Sequence, residues 1–264
     1  MNSTSRRLKI GFGILSSLLL IFIILPLATT LFATTPEDFN QTLNDPELIS
    51  SLTLTFGAAA IATVLAMISG VPLAYLLART RFTGKRLIEG IINLPIVIPH
   101  TAAGIALLMV FGSKGVLGQF FSFFGIVFVD RLPGIVVAMM FVSLPYLVNM
   151  SREAFISIDP EMERAALIDG ASSFQAFWLV TLPQAWRGIA SGAMMMWARG
   201  MSEFGAVVIL AYHPRIVPTL IYERFNGYGL ASARPIALIL ILAALLVFGI
   251  LQLLLMPEKE YSDR

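Results

Sequence analysis

Few side chains in this 264-residue sequence are suited to handling an ion, and they stand in apolar surroundings. Arg199 and Glu203 lie four residues apart in the run Met194-Met-Met-Trp197-Ala-Arg199-Gly-Met-Ser-Glu203-Phe-Gly205-Ala206. On a helix such residues sit ~40° apart around the axis, so the two share a face and can pair. A lone arginine at the centre of a bilayer costs roughly 2.5–3.5 kcal/mol, so both should point into protein or water. Such a pair either fixes helix packing or lends positive potential to an anion route, with Glu203 keeping that potential from becoming a trap. His100 and Thr101 follow Pro95 and Pro99. Backbone groups freed by proline inside a membrane are tolerated only where protein or a water-filled cavity satisfies them. Residues 90–112 are therefore a candidate pore-lining segment in which His100 and Thr101 could meet an anion; a local hydrogen bond is the plainer role for the histidine.

Other chemistries lack their residues. There is no cysteine, which removes thiolate ligands, cysteine nucleophiles and disulfides. No His-Glu-x-x-His and no Gly-x-Ser-x-Gly appears, so no catalytic or metal-ligating residue is assigned. A P-loop needs Gly, four residues, Gly-Lys and Ser or Thr; the one Gly-Lys pair, Gly84-Lys85, is followed by Arg86 and preceded at the required distance by Arg79. No nucleotide site is expected.

The elements that must position these residues are membrane helices. The chain is 57% hydrophobic and 13% charged, against roughly 25% charged residues in ordinary soluble domains. A net charge of +2, from 18 basic and 16 acidic side chains, gives no reason to expect a nucleic-acid partner. Runs near the ~20 apolar residues needed to cross a bilayer fall at 10–32, 48–78, 90–112, 132–150, 188–212 and 235–256. The first follows basic residues as a secretory leader does, but its apolar stretch is well beyond about 7–15 residues, so it is read as a retained helix. Residues 115–129 are too short and too glycine-broken to span and are read as interfacial or re-entrant. Gly188 and Gly192 make a small-xxx-small step for close helix approach. The expectation is one all-α integral membrane domain over residues 1–264, with six transmembrane helices. Placing both termini in the cytoplasm puts twelve basic residues inside and five outside, as positive-inside topology requires.

The cytoplasmic connection 159–183 reads as two short helices. Asp159 can cap the first, Pro160 suits its first position, and Glu161 and Glu163 fall where the helix dipole favours acids. Gly170 ends it. Ser172 or Ser173 can cap a second, whose Phe174, Phe177, Trp178 and Thr181 recur at helical spacing before Pro183 stops it. Its apolar side either lies against the membrane or the rest of the chain, or forms a knob for another protein.

This stretch resembles the cytoplasmic signature of permease subunits of ATP-binding-cassette importers: Glu-Ala-Ala, three residues, Gly, nine residues, Ile-x-Leu-Pro. Ala165, Ala166, Gly170, Leu182 and Pro183 match at every interval, while Arg164 stands where the glutamate belongs, Glu163 precedes it, and Val180 replaces isoleucine. The resemblance implies a type I importer permease fold with a coupling helix between the fourth and fifth spans. It also implies ATPase-coupling roles for Glu163, Arg164, Ala165, Ala166, Asp169, Gly170, Leu182 and Pro183. The implied partners are two ATPase subunits that bind ATP and Mg, a second permease copy and an external substrate-binding protein, in the cell membrane.

Arg199, Glu203, Phe204, Gly205 and Ala206, and the run Asn93 to Gly104, are similar to the corresponding spans of permeases for sulfate, molybdate and tungstate. That implies import of a tetrahedral oxyanion, molybdate or tungstate ahead of sulfate. An ion-coupled secondary transporter, with Arg199, Glu203 and His100 as a relay, is the main rival from another class. An intramembrane enzyme and a non-transporting scaffold rank below it.

Overall fold

A computed structural model describes residues 3–255, which form helices with no strand among them. α1 (Ser3–Ala33) leads through α2 (Pro36–Leu43) to α3 (Pro46–Arg79), a rod of 34 residues. α4 (Lys85–Val97) and α5 (His100–Phe111) follow, then the seven-residue α6 (Val116–Ser122) and α7 (Leu132–Ile156). The knob holds α8 (Pro160–Ile168) and α9 (Ser173–Ala176), and α10 (Leu182–Met201), α11 (Gly205–Leu210), α12 (Val217–Tyr228) and α13 (Leu230–Leu255) complete the order.

The core forms where α3, α7 and α10 pack side by side. Ala58, Ala59 and Ala62 of α3 meet Ile135, Ala138, Met139 and Val142 of α7, with Trp197 and Met201 of α10 closing the cluster. Small residues let the backbones approach. A Cβ added at Gly188 would lie 2.4 Å from Ala154 Cβ, so the small-xxx-small step does seat α10 on α7. α1, by contrast, buries none of its apolar length.

Four of these helices, α1, α3, α7 and α13, are long and apolar enough to cross a membrane, and α4 with α5 makes a fifth only if the bent pair is counted as one. Two expected spans are therefore corrected. Residues 90–112 are not one helix but two, turned by 114° at a break before His100. Ile98 is extended, as a residue before proline prefers, so Pro99 redirects the chain. Residues 188–212 also divide. α10 starts earlier, at Leu182, and stops at Met201; after Ser202–Phe204 the chain resumes as α11. α10 is sheltered between α3 and α7, which is why it tolerates polar residues that a lipid-facing helix could not. α7 continues to Ile156, beyond the expected end at 150. The end expected at 256 lies outside the described residues. Residues 115–129 fold back on α5 through α6, a helix too short to cross.

Candidate functional site

The break between α10 and α11 builds the central cluster. Gly200 ends the close-packed run, its would-be Cβ 3.6 Å from Ala59 and 3.7 Å from Met139. Glu203 then turns inward and is fully buried. Its Oε1 accepts the Ala206 N–H at 2.8 Å, satisfying a donor that the first turn of α11 would otherwise leave free. Its Oε2 accepts from Arg199 Nη2 at 3.1 Å, so the pair expected from spacing forms. His100, delivered by the turn at Pro99, brings Nδ1 to 3.0 Å from the same oxygen. Arg199 Nη2 lies 3.0 Å from both ring nitrogens of His100, Nδ1 and Nε2.

Two glycines permit this meeting. A Cβ on Gly205 would stand 2.7 Å from His100 Cβ, and one on Gly104 would stand 2.8 Å from Ile209 Cβ. α5 and α11 thus touch backbone to backbone. The cluster stays open on one side: His100 keeps 35% and Arg199 21% of their side-chain surface exposed, while Glu203 keeps none. Thr101 is exposed beside it and bonds to no member of the triad. At the level of Ala59, the cluster lies about 18 Å along α3 from Glu47 and about 30 Å from Arg79, at 1.5 Å per residue.

The knob between α7 and α10 follows the expected caps. Asp159 accepts the Glu161 N–H at 3.0 Å, and Gly170 adopts φ +94°. The Ala171 N–H bonds back to Ala166 O at 3.0 Å and the Gly170 N–H to Leu167 O at 3.1 Å, a Schellman ending that only a residue at ease in the left-handed region accepts without strain. Ser172 caps the next helix reciprocally with Gln175. Pro183 does not stop that helix, contrary to expectation. The chain widens into a π turn over Phe177–Thr181, where the Leu182 N–H reaches Phe177 O, and runs on into α10. Pro183 thereby sits in the first turn of α10, where no N–H is needed.

The widened turn also divides the side expected to be one apolar face. Phe177 packs inward against Tyr75, ring centroids 4.8 Å apart, and Thr181 is buried, whereas Phe174 and Trp178 stay exposed. With Leu167, Ile168 and Leu179 they leave an exposed apolar surface on both helices. Ala165, Asp169, Gly170 and Pro183 are exposed on the knob; Ala166 and Leu182 are half-buried. Arg164 faces outward and pairs with Glu161. Glu163 faces inward, where its carboxylate accepts from Arg79 Nε at 2.9 Å, Thr181 Oγ1 at 2.8 Å and Tyr75 O–H at 3.0 Å.

Tyr75, Arg79 and Thr181 escaped the sequence reading as site residues. Arg79 bears on topology and on the missing P-loop alone, and its place at the end of a span, one knob away from an acid, is the signal that could have found it. A second cluster was missed at the opposite end of α3. Glu47 pairs with Arg215 and with Arg224 at 2.8 Å, and Arg215 also reaches Glu223 at 2.6 Å. Burial draws the Glu47 carboxyl upward, but hydrogen bonds and charges from Arg215 and Arg224 outweigh it and hold the group below the ordinary glutamate value.

The chain is similar to known proteins. Residues 70–256 match the model of the family described as binding-protein-dependent transport system inner membrane component. The chain is 43% identical to the molybdate/tungstate transport system permease protein WtpB of Pyrococcus furiosus, over 91% of this chain and 92% of that one. It is 31% identical to the sulfate transport system permease protein CysT of Synechocystis, over 93% and 88%. Among solved structures it is similar, with a TM-score of 0.73 and 18% identity over 94% and 93% of the two chains, to a bacterial alginate ABC transporter in complex with alginate pentasaccharide-bound periplasmic protein.

Proposed function

The chain belongs to the binding-protein-dependent transport system inner membrane component family, and from that premise we propose that it is the conducting subunit of an ATP-driven importer of molybdate or tungstate. The observation that carries the reading is the near full-length relation to a molybdate/tungstate permease. The exposed apolar knob 159–183 supports the ATP-driven part: it presents grease where a separate ATPase would grip, and ATP and Mg would be held by that partner. Two ATPases and two copies of this chain make the symmetric assembly. The triad favours a second copy, because its charged side is open and one chain cannot enclose a route past it. Both termini lie in the cytoplasm, and an external binding protein delivers the anion.

In this reading the dianion passes Arg199, whose charge Glu203 and His100 share, so it is attracted without being held. Nothing in the triad reads the central atom of the anion, and selectivity rests with the binding protein. The relation to the sulfate permease keeps sulfate as the second substrate reading. Co-purification with candidate ATPases, followed by ATPase assays with binding protein loaded with molybdate, tungstate or sulfate, is the test. Stoichiometric retention and stimulation by loaded molybdate or tungstate protein are expected. Uptake that survives ATP depletion but collapses with an uncoupler would instead make the chain a secondary transporter.

A further inference from the structure

The turn between α3 and α4 forms a cavity of about 440 Å³ lined by Arg81, Phe82, Gly84, Lys85, Arg86, Glu89 and Arg152. Four of these are cations and one is a carboxylate. Arg152 answers Glu89 at 3.3 Å and Glu153 at 2.7 Å. Arg81, Lys85 and Arg86 form no ion pair among the described residues; the Nε–H of Arg152 and Glu89 Oε1 are both buried without a hydrogen-bond partner, so one carboxylate faces four cations. An orphaned buried donor beside unneutralised cations calls for an acceptor carrying negative charge.

The surface next to the cavity is apolar. Phe82 on its rim is 42% exposed, and Leu87, Ile91 and Leu94 fall at i, i+4 and i+7 along α4 with about half or more of their surface open. The opposite side of α4 is held by the protein: Ile92 is buried, and Asn93 accepts a hydrogen bond from Asn149 at 2.7 Å. A charged pocket thus leads into an uncovered greasy stripe. A free oxyanion has use for the first feature only; a phospholipid has use for both.

We propose that this cavity binds the phosphodiester headgroup of an anionic phospholipid from the cytoplasmic leaflet, with an acyl chain lying along Leu87, Ile91 and Leu94. The site lies apart from the transport cluster and from the knob, and does not depend on which anion is carried.

The test uses the full chain in nanodiscs of phosphatidylcholine and phosphatidylglycerol in equal amounts, with retained lipid counted by native mass spectrometry. Wild type should keep phosphatidylglycerol in preference. Near an anionic surface each basic residue contributes about fivefold, so R81Q/K85Q/R86Q should lower the preference about a hundredfold. Arg187→Gln, exposed elsewhere on the cytoplasmic side, should not change it, and R81K/R86K should retain it. Should the triple variant fail to fold, the preference of wild type itself must still weaken with added salt. The proposal is overturned if the folded triple variant retains phosphatidylglycerol as wild type does, if inorganic phosphate displaces the lipid, or if bound ATPase expels it, which would make the cavity a protein contact.

Discussion

Glu203 does two jobs with two oxygens, capping α11 with one and meeting Arg199 and His100 with the other. Glu203→Gln keeps an acceptor for Ala206 but removes the counter-charge. Hydrogen bonds to charged groups are worth about 1.5–3 kcal/mol, so the substitution should lower stability by about that much, read as thermal unfolding of the purified chain. If Arg199 lines the route, uptake by the variant should also show a lower KM and a lower kcat, because the anion is then held. A purely structural pair would lose stability with KM unchanged. Glu47 offers a pH test. Its carboxyl is held below the ordinary glutamate value, so it adds stability above that value and loses it as pH falls through the lower folded value. A thermal-unfolding series descending through this acid range should show a drop that Glu47→Gln removes.

At the scale of elements, the close approach of α5 to α11 depends on the missing side chain at Gly205. Gly205→Ala forces a Cβ to within 2.7 Å of His100 Cβ; overpacking of this kind costs typically about 1–3 kcal/mol. Gly90→Ala, where nothing lies within 4 Å, is the control and should be neutral or slightly stabilising. Gly170→Pro cannot adopt φ +94°. It should break the Schellman ending and abolish coupling, read as loss of uptake with the ATPase still active or silent without regard to binding protein.

Much of this was legible beforehand. Asp159, Gly170 and Ser172 act as caps because capping chemistry is local and sequence spells it out. The Arg199–Glu203 pair follows from helical spacing alone. The turn at Pro99 and the break at Ser202–Phe204 were not legible, because an apolar count measures length and is blind to direction. Pro183 misled for a related reason: it forbids an N–H bond, yet a π turn just before it makes that bond unnecessary. The inward turn of Glu163 depended on Tyr75 and Arg79, 88 and 84 residues away in sequence, which no local pattern joins to it.

For the molecule as a whole, α3 ties these regions together. At one end Arg79 is bound to Glu163 of the knob, and at the other Glu47 is bound to Arg215 and Arg224. Glu163→Ala should strand Arg79, of which only 12% of the side chain is exposed. Removing one partner of a buried pair costs about 3–5 kcal/mol, and the loss should appear both in unfolding and in the fraction of ATP turnover that yields uptake. Glu163→Gln, which keeps an acceptor for Thr181 and Tyr75, should fall between. A stiff strut pinned by ionic joints at its two tips does not stretch. If the Arg79 joint is tugged a few ångströms, the Glu47 joint must shift in step or let go, because one helix carries both.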